Sequence, residues 1–131
     1  MLIIGSHVGF NSKTQLLGSV NEALSYGSNT FMFYTGAPQN TKRSPINDLL
    51  TYQAMDVMKE NNINIKNIIV HAPYIINLAN NSHLSKYEFS IGFLKQECER
   101  CDNLFIDKLV LHPGSHVGYG VDNGINNIIN A

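Results

Sequence analysis

Short β-prone runs alternate with longer stretches of helical apolar spacing along this chain, and the alternation occurs four times. Leu2 to Val8 reads as the first strand. Ser12-Lys13-Thr14-Gln15 then matches a capping box, in which Ser12 and Gln15 satisfy the first free amides of a helix. Leu16, Leu17, Val20, Ala23 and Leu24 follow at helical spacing, and Gly27 suits the left-handed residue that ends a helix. Thr30 to Thr35 is aromatic and β-prone, a second strand, followed by a polar loop from Gly36 to Ser44. Pro45 is placed to open the second helix, whose apolar face is Ile46, Leu49, Leu50, Ala54, Val57 and Met58, fading near Asn61.

Lys66 to His71 is a continuous apolar run of the kind expected when both faces of a parallel strand are buried, and a loop from Ala72 to Asn81 follows. The third helix carries Leu84, Tyr87, Ile91, Leu94, Cys98 and Cys101 at alternating three- and four-residue intervals and runs to about Asn103. Asp107 to His112 is predicted as a fourth buried strand. After a Gly-rich loop through Gly120, Asp122 can cap a helix bearing Ile125, Ile128 and Ile129, which is cut off at Ala131.

Four βα units in succession imply parallel strands joined by right-handed crossovers, in one unit covering residues 1–131. A small open α/β sheet or the N-terminal half of a (β/α)8 TIM barrel would both satisfy the pattern. A complete barrel takes roughly 250 residues, so four units in 131 residues match half of one. A half barrel leaves its first and fourth strands as unpaired apolar edges, which invite self-association.

Composition narrows the function classes. A net charge of −1 excludes a protein that grips nucleic acid by bulk positive charge, so any phosphate binding must be local. No apolar run approaches the roughly 18–20 residues needed to span a bilayer, and the N-terminal residues lack signal-peptide features, which favours a cytoplasmic location. Two cysteines, Cys98 and Cys101, are too few for a disulfide framework. Their C-x-x-C spacing lacks the second pair that a tetrahedral zinc site needs, and both continue the apolar stripe of the third helix, so core packing is their expected role.

Function in parallel α/β proteins sits at the C-terminal ends of the strands, where His7, His71 and His112 fall. Adjacent strands are about 4.7–4.9 Å apart, which lets His71 and His112 lean toward one ion as half a zinc site. The bland alternative is three strand-end histidines that hydrogen-bond to loops. Gly5 to Gly9 is echoed in Gly114 to Gly118, but the copies are out of phase with their strands, so the echo, including His116, is read as coincidence. His83, at the start of the third helix, is expected to be solvated. Gln39, Asn40, Lys42 and Arg43 form a small basic, amide-rich loop suited to phosphates or a groove. Tyr74 and Ile75, just beyond His71, could wedge between stacked bases.

Four blocks taken together closely resemble the endonuclease IV family of apurinic/apyrimidinic endonucleases: Ile4 to Val8, Met32 to Thr41, Val70 to Ala79 and Leu111 to His116. They occur in order at the ends of four strands, and the likeness runs from about Leu2 to the last residue. The resemblance implies a (β/α)8 barrel with three zinc ions at the strand mouths, acting as a monomer in base-excision repair of DNA. It implies cleavage of the phosphodiester 5′ of an abasic deoxyribose. Carried over by position, His71 and His112 become ligands of one zinc, Tyr74 the residue that enters the base stack, and His7 and His116 neighbours of the site. The loop from Gly36 to Arg43 matches the family's minor-groove loop, which makes Gln39, Lys42 and Arg43 its DNA-contacting candidates. The remaining zinc ligands in the family come from later strands, so the chain by itself is expected to be inactive.

Two other readings remain open from the residues alone. One is a metal-bearing sugar isomerase or epimerase barrel, which the wedge-like Tyr74 loop disfavours. The other is a non-catalytic α/β binding module.

Overall fold

Parallel pairing of four short strands organises the chain, as seen in a computed structural model that describes residues 2–131. The elements are β1 (Gly5–His7), α1 (Gln15–Ser25), β2 (Thr30–Phe33), α2 (Asp48–Glu60), a 3-10 turn (Ile65–Asn67), β3 (Ile69–His71), α3 (Leu84–Asn103), β4 (Leu109–Val110) and α4 (Val121–Asn130). Spatial order equals chain order, β1-β2-β3-β4, with every neighbouring pair parallel. This is the βα repeat expected, with β1 and β4 at the two edges.

Register divides the sheet into two faces, because paired residues in a parallel sheet point the same way and neighbours along a strand alternate. Phe31 and Phe33 of β2 and Val70 of β3 turn outward into a core with Val8, Leu16, Val20, Ala54, Met58 and Leu104. A second cluster gathers Ala72, Ile76, Leu78 and Phe93 under α3. The opposite face is concave and open. Ile3, His7, Met32 and Ile69 line a hollow of about 510 Å³ there, the space that further strands fill in a closed barrel.

Several local expectations are corrected. The first strand is confined to Gly5–His7; Leu2, Ile3 and Ile4 are exposed. No capping box forms: Asn11 Oδ1 accepts from the amides of Lys13 and Thr14, and Thr14 precedes the helix. Gln15 is buried and bridges elsewhere, its Nε2 donating to the Pro45 carbonyl at 2.9 Å and its Oε1 accepting from the Asn47 amide at 2.9 Å. That bridge ties both Pro45 and the extended Asn47 to the start of α1, and the second helix begins at Asp48, capped by Asn47, rather than at Pro45. Leu49, predicted on its buried face, is exposed. Residues 65–67 coil into the 3-10 turn instead of extending β3.

The third helix is rotated from its predicted face. Leu84 and Cys98 are exposed, whereas Ser90, Phe93, Glu97, Arg100 and Cys101 are buried. Only Cys101 of the two cysteines packs in the core. Val110 of β4 is exposed because nothing covers the concave face beside it among the described residues. Gly120 precedes α4 in place of Asp122, which lies in the first turn, and Gly124 and Asn127 take the buried positions expected of its isoleucines. Gly27 ends α1 as predicted: at φ +71° it lets the Ser28 amide donate back to the Ala23 carbonyl at 3.1 Å.

Candidate metal and nucleic-acid site

A row of four rings crosses the concave face at the C-terminal ends of the strands. His7 pairs with Met32, and Met32 with Ile69, so Tyr34, just past the end of β2, and His71, the last residue of β3, stand one step higher, and His112 one step beyond Val110. All four side chains therefore share one face and climb obliquely across it. Ring centroids are separated by 4.9 Å for His7 and Tyr34, 5.0 Å for Tyr34 and His71, and 5.0 Å for His71 and His112. Thus His7, His71 and His112 are brought together, and Tyr34, which the sequence reading passed over, joins them. The alternation of β2 already carried that signal, since Tyr34 lies two residues beyond Met32.

His71 is the most constrained member. It is buried, and its Nδ1 donates to the Ala72 carbonyl at 2.7 Å. A neutral ring held in this way has its Nε2 lone pair free for an ion. Partial desolvation lowers the pKa of the otherwise exposed His7 below its ordinary 6.5, and the His71 charge acts in the same direction. The bare imidazole is thereby favoured at neutral pH. Among the described residues, no three His, Cys, Asp or Glu side chains converge as a metal-binding group. His71 and His112 fit two positions of a zinc shell, a donor pair on adjacent strands with one ring already oriented, and leave the others to be supplied.

The loops beyond β3 and β4 are stitched to each other. Asn77 Nδ2 donates to the Ser115 carbonyl at 3.1 Å, Asn77 Oδ1 accepts from the amides of Ser115 at 3.2 Å and Ala79 at 3.0 Å, and the Leu78 amide donates to the Pro113 carbonyl at 2.8 Å. One asparagine therefore fixes the His71-to-Tyr74 segment against the His112-to-Ser115 segment. Tyr74 projects from this platform with 58% of its surface exposed. His116 lies in the loop that leads to α4, its Nδ1 accepting from the Gly120 amide at 3.3 Å. His83 is exposed at the start of α3.

The loop after β2 divides the residues predicted on it. Gln39, Asn40, Thr41 and Lys42 are exposed at its tip. The Arg43 side chain is 2% exposed and turned inward: Nε donates to Glu97 Oε1 at 2.6 Å, and the guanidinium carbon sits 4.9 Å from the centre of the Phe93 ring. Arg43 is thus an internal tie, not a presented cation. Glu97 also accepts from Thr35 Oγ1 at 2.6 Å, and Arg100 Nε donates to that same hydroxyl at 2.9 Å. The only hint in the sequence was a carboxylate at Glu97 midway between the apolar Phe93 and Cys101 of one helix face.

Comparison with known proteins agrees with this architecture. A family model described as xylose isomerase-like TIM barrel matches residues 20–131. A probable endonuclease 4 of Enterococcus faecalis is 50% identical over 128 residues, covering 98% of this chain and 42% of that protein. Another, of Oceanobacillus iheyensis, is 50% identical over 129 residues, covering 98% of this chain and 43% of its own. The chain therefore spans about two-fifths of the length of the curated relatives it matches. Among solved structures, endonuclease IV from Thermus thermophilus superposes with a TM-score of 0.71 at 21% identity, covering 97% of this chain and 46% of that one. At that identity the match speaks for the fold.

Proposed function

The chain belongs to the xylose isomerase-like TIM barrel family, and from that premise we propose that residues 1–131 form one unit supplying four βα units of a zinc-dependent DNA-repair endonuclease. Its substrate is double-stranded DNA with an abasic site, cut at the phosphodiester 5′ of the missing base. One observation carries the reading: His71 and His112 stand side by side at adjacent strand ends, with the exposed Tyr74 on the segment tied between them. The names of relatives at half identity support the same choice.

His71 and His112 would hold one zinc. When bound, zinc supplies water of lowered pKa, about 7, and neutralises phosphate charge during in-line attack. The other side chains of the site do their work by binding and orientation. Tyr74 enters the stack where a base is missing, at a position where distortion costs less than in intact duplex, so that damage is selected without reading sequence. Lys42 and Gln39 contact the strand beside it. His7 and Tyr34 pack along the ligand row and restrict its rings. The assembled barrel works as a monomer in the cytoplasm, and the 131-residue chain alone lacks cleavage activity because its two histidines leave the zinc shell incomplete.

A second reading, sugar isomerisation, has the description of the matching family in its favour. Sugar sites need a closed pocket, which an exposed Tyr74 beside the ligands does not make.

The deciding experiment is a nicking assay on a duplex with one synthetic abasic site, using this chain and a chimaera that adds the remaining strands of the Enterococcus faecalis relative. The chimaera is expected to nick on the 5′ side, to stop with chelator and to lose activity with His71→Ala, while the chain alone stays inactive. A folded chimaera that does not nick, or one that turns over an aldose instead, would overturn the proposal.

A further inference from the structure

We infer that Glu97, Arg43 and Arg100 are positioning residues that lock the loop of residues 36–44 into a preformed DNA-contacting shape, an inference that rests on the functional reading above. Glu97 is completely buried in α3, and both carboxylate oxygens are engaged, one by Arg43 and one by Thr35. From there the two guanidinium groups reach the loop along its whole length. Arg100 Nη2 donates to the Thr35 carbonyl and Nη1 to the Ser44 carbonyl, each at 2.7 Å, pinning both ends. Arg43 Nη1 donates to the carbonyls of Ala37, Asn40 and Lys42 at 3.3, 3.1 and 3.0 Å, pinning the interior.

Burying two cations and one anion carries a desolvation cost that a packed apolar plug of the same volume would avoid. What the charges provide is directional: four backbone carbonyls of the loop and that of Thr35, which precedes it, accept from two side chains, so the path of the loop is dictated at its ends and along its interior. Gly36 fits this account, because a Cβ there would meet the Arg43 side chain at 2.9 Å. The polar tip, Gln39 to Lys42, is left outside, on the same end of the sheet as the histidine row. A loop ordered beforehand does not lose its conformational freedom when it meets a phosphate backbone, and affinity rises accordingly. Arg43, the most buried cation of the loop, thus serves recognition through Lys42 and Gln39.

The test uses the 131-residue chain and the variants Glu97→Gln, Arg43→Lys and Lys42→Ala. Each is titrated into a fluorescein-labelled duplex bearing one synthetic abasic site and, separately, digested briefly with trypsin. Lys42→Ala is expected to weaken duplex binding through lost contact, while Glu97→Gln and Arg43→Lys weaken it about tenfold through lost order. Only the latter two should speed cleavage within residues 36–44. Arg43→Lys keeps the ion pair but not the three carbonyl bonds, so it decides the matter if Glu97→Gln fails to fold. Unchanged affinity in both clamp variants, beside a weakened Lys42→Ala, would overturn the positioning role and leave the functional reading intact. A chain that ignores the duplex while the chimaera nicks it also overturns this inference alone. Failure of both the chain and the chimaera overturns the reading beneath it.

Discussion

Asn77 occupies the space that a side chain at Gly114 would need. A Cβ built on Gly114 would lie 2.1 Å from Asn77 Oδ1, and Gly114 holds φ at +113°. Two physical demands therefore coincide on one residue, close approach and a backbone conformation that only glycine adopts cheaply. Gly114→Ala is expected to cost about 2–4 kcal/mol, combining overpacking with backbone strain. Asn77→Ala, which removes the side-chain bonds to Ser115 and leaves those exposed backbone groups to water, should cost less, about 0.5–1.5 kcal/mol. Urea unfolding of each variant measures both, and an unperturbed Gly114→Ala midpoint would contradict the tie between these loops.

The buried charges beneath the loop of residues 36–44 make a different demand. Glu97→Ala leaves Arg43 and Arg100 without their counter-ion in a site that water does not reach, and a loss of about 3–5 kcal/mol is expected. Thr35→Val removes one hydroxyl that both donates to Glu97 and accepts from Arg100. Its expected cost is smaller, about 1–3 kcal/mol. Equal midpoints for the two variants in denaturant would show that the hydroxyl, not the charge balance, governs the cluster.

These two ties mark where the sequence was readable and where it was not. Periodicity located all four βα units and the histidines at their ends, because side-chain alternation and helical spacing are local properties. It placed Cys101 correctly but misplaced the rest of the buried face of α3, since an apolar stripe through Leu84, Leu94 and Cys98 competes with one through Ser90, Phe93 and Glu97 that includes a carboxylate. Only the partners Arg43, from a loop 54 residues earlier in the chain, and Thr35 make that carboxylate burial tolerable. The capping box failed for a similar reason. Gln15 finds Pro45 and Asn47 across the fold, and local capping chemistry yields to that long-range bridge. Arg43 looked like a contact because its exposure could not be judged without Glu97.

The cysteine pair gives a pH prediction. Desolvation pushes the Cys101 thiol up to about 12 from its ordinary 9.0. Between these values the folded state holds a proton that the unfolded chain releases, so stability is fully present below pH 9.0 and falls as pH rises toward about 12. Denaturant midpoints across the alkaline range should show that decline, and Cys101→Ala should flatten it. At about pH 8, iodoacetamide is expected to label the exposed Cys98 and leave Cys101 unmodified until the chain unfolds. Equal labelling of both thiols under native conditions would contradict the burial of Cys101.

The edges of the sheet predict self-association. β1 and β4 each lack a neighbour on one side among the described residues; Ile3 and Ile4 beside β1 and Val110 in β4 are exposed, and Ile3 lines the open hollow. Unpaired strand edges beside exposed apolar residues associate with further chains. Sedimentation velocity of the chain should show mass rising with concentration, and Ile4→Lys combined with Val110→Lys should suppress it. A sharp monomer at every concentration would mean that the edges are protected.

The histidine row allows metal binding to be tested apart from catalysis. Two imidazoles fill half of a tetrahedral shell, so zinc should bind this chain weakly, with water in the remaining positions. Because His71 Nδ1 is committed to Ala72, the ion is expected at Nε2, and nitrogen-detected NMR during a zinc titration would shift that atom and a ring nitrogen of His112 together. His71→Ala or His112→Ala should remove the paired response, whereas His116→Ala should leave it. Tyr34 supplies the finer control. Its ring lies 5.0 Å from that of His71 and 4.9 Å from that of His7, so Tyr34→Phe should preserve zinc affinity and Tyr34→Ala should lower it by freeing the His71 ring. If the two Tyr34 variants behave alike, the ring does not orient the ligand, and the Ala72 carbonyl alone sets the geometry of His71.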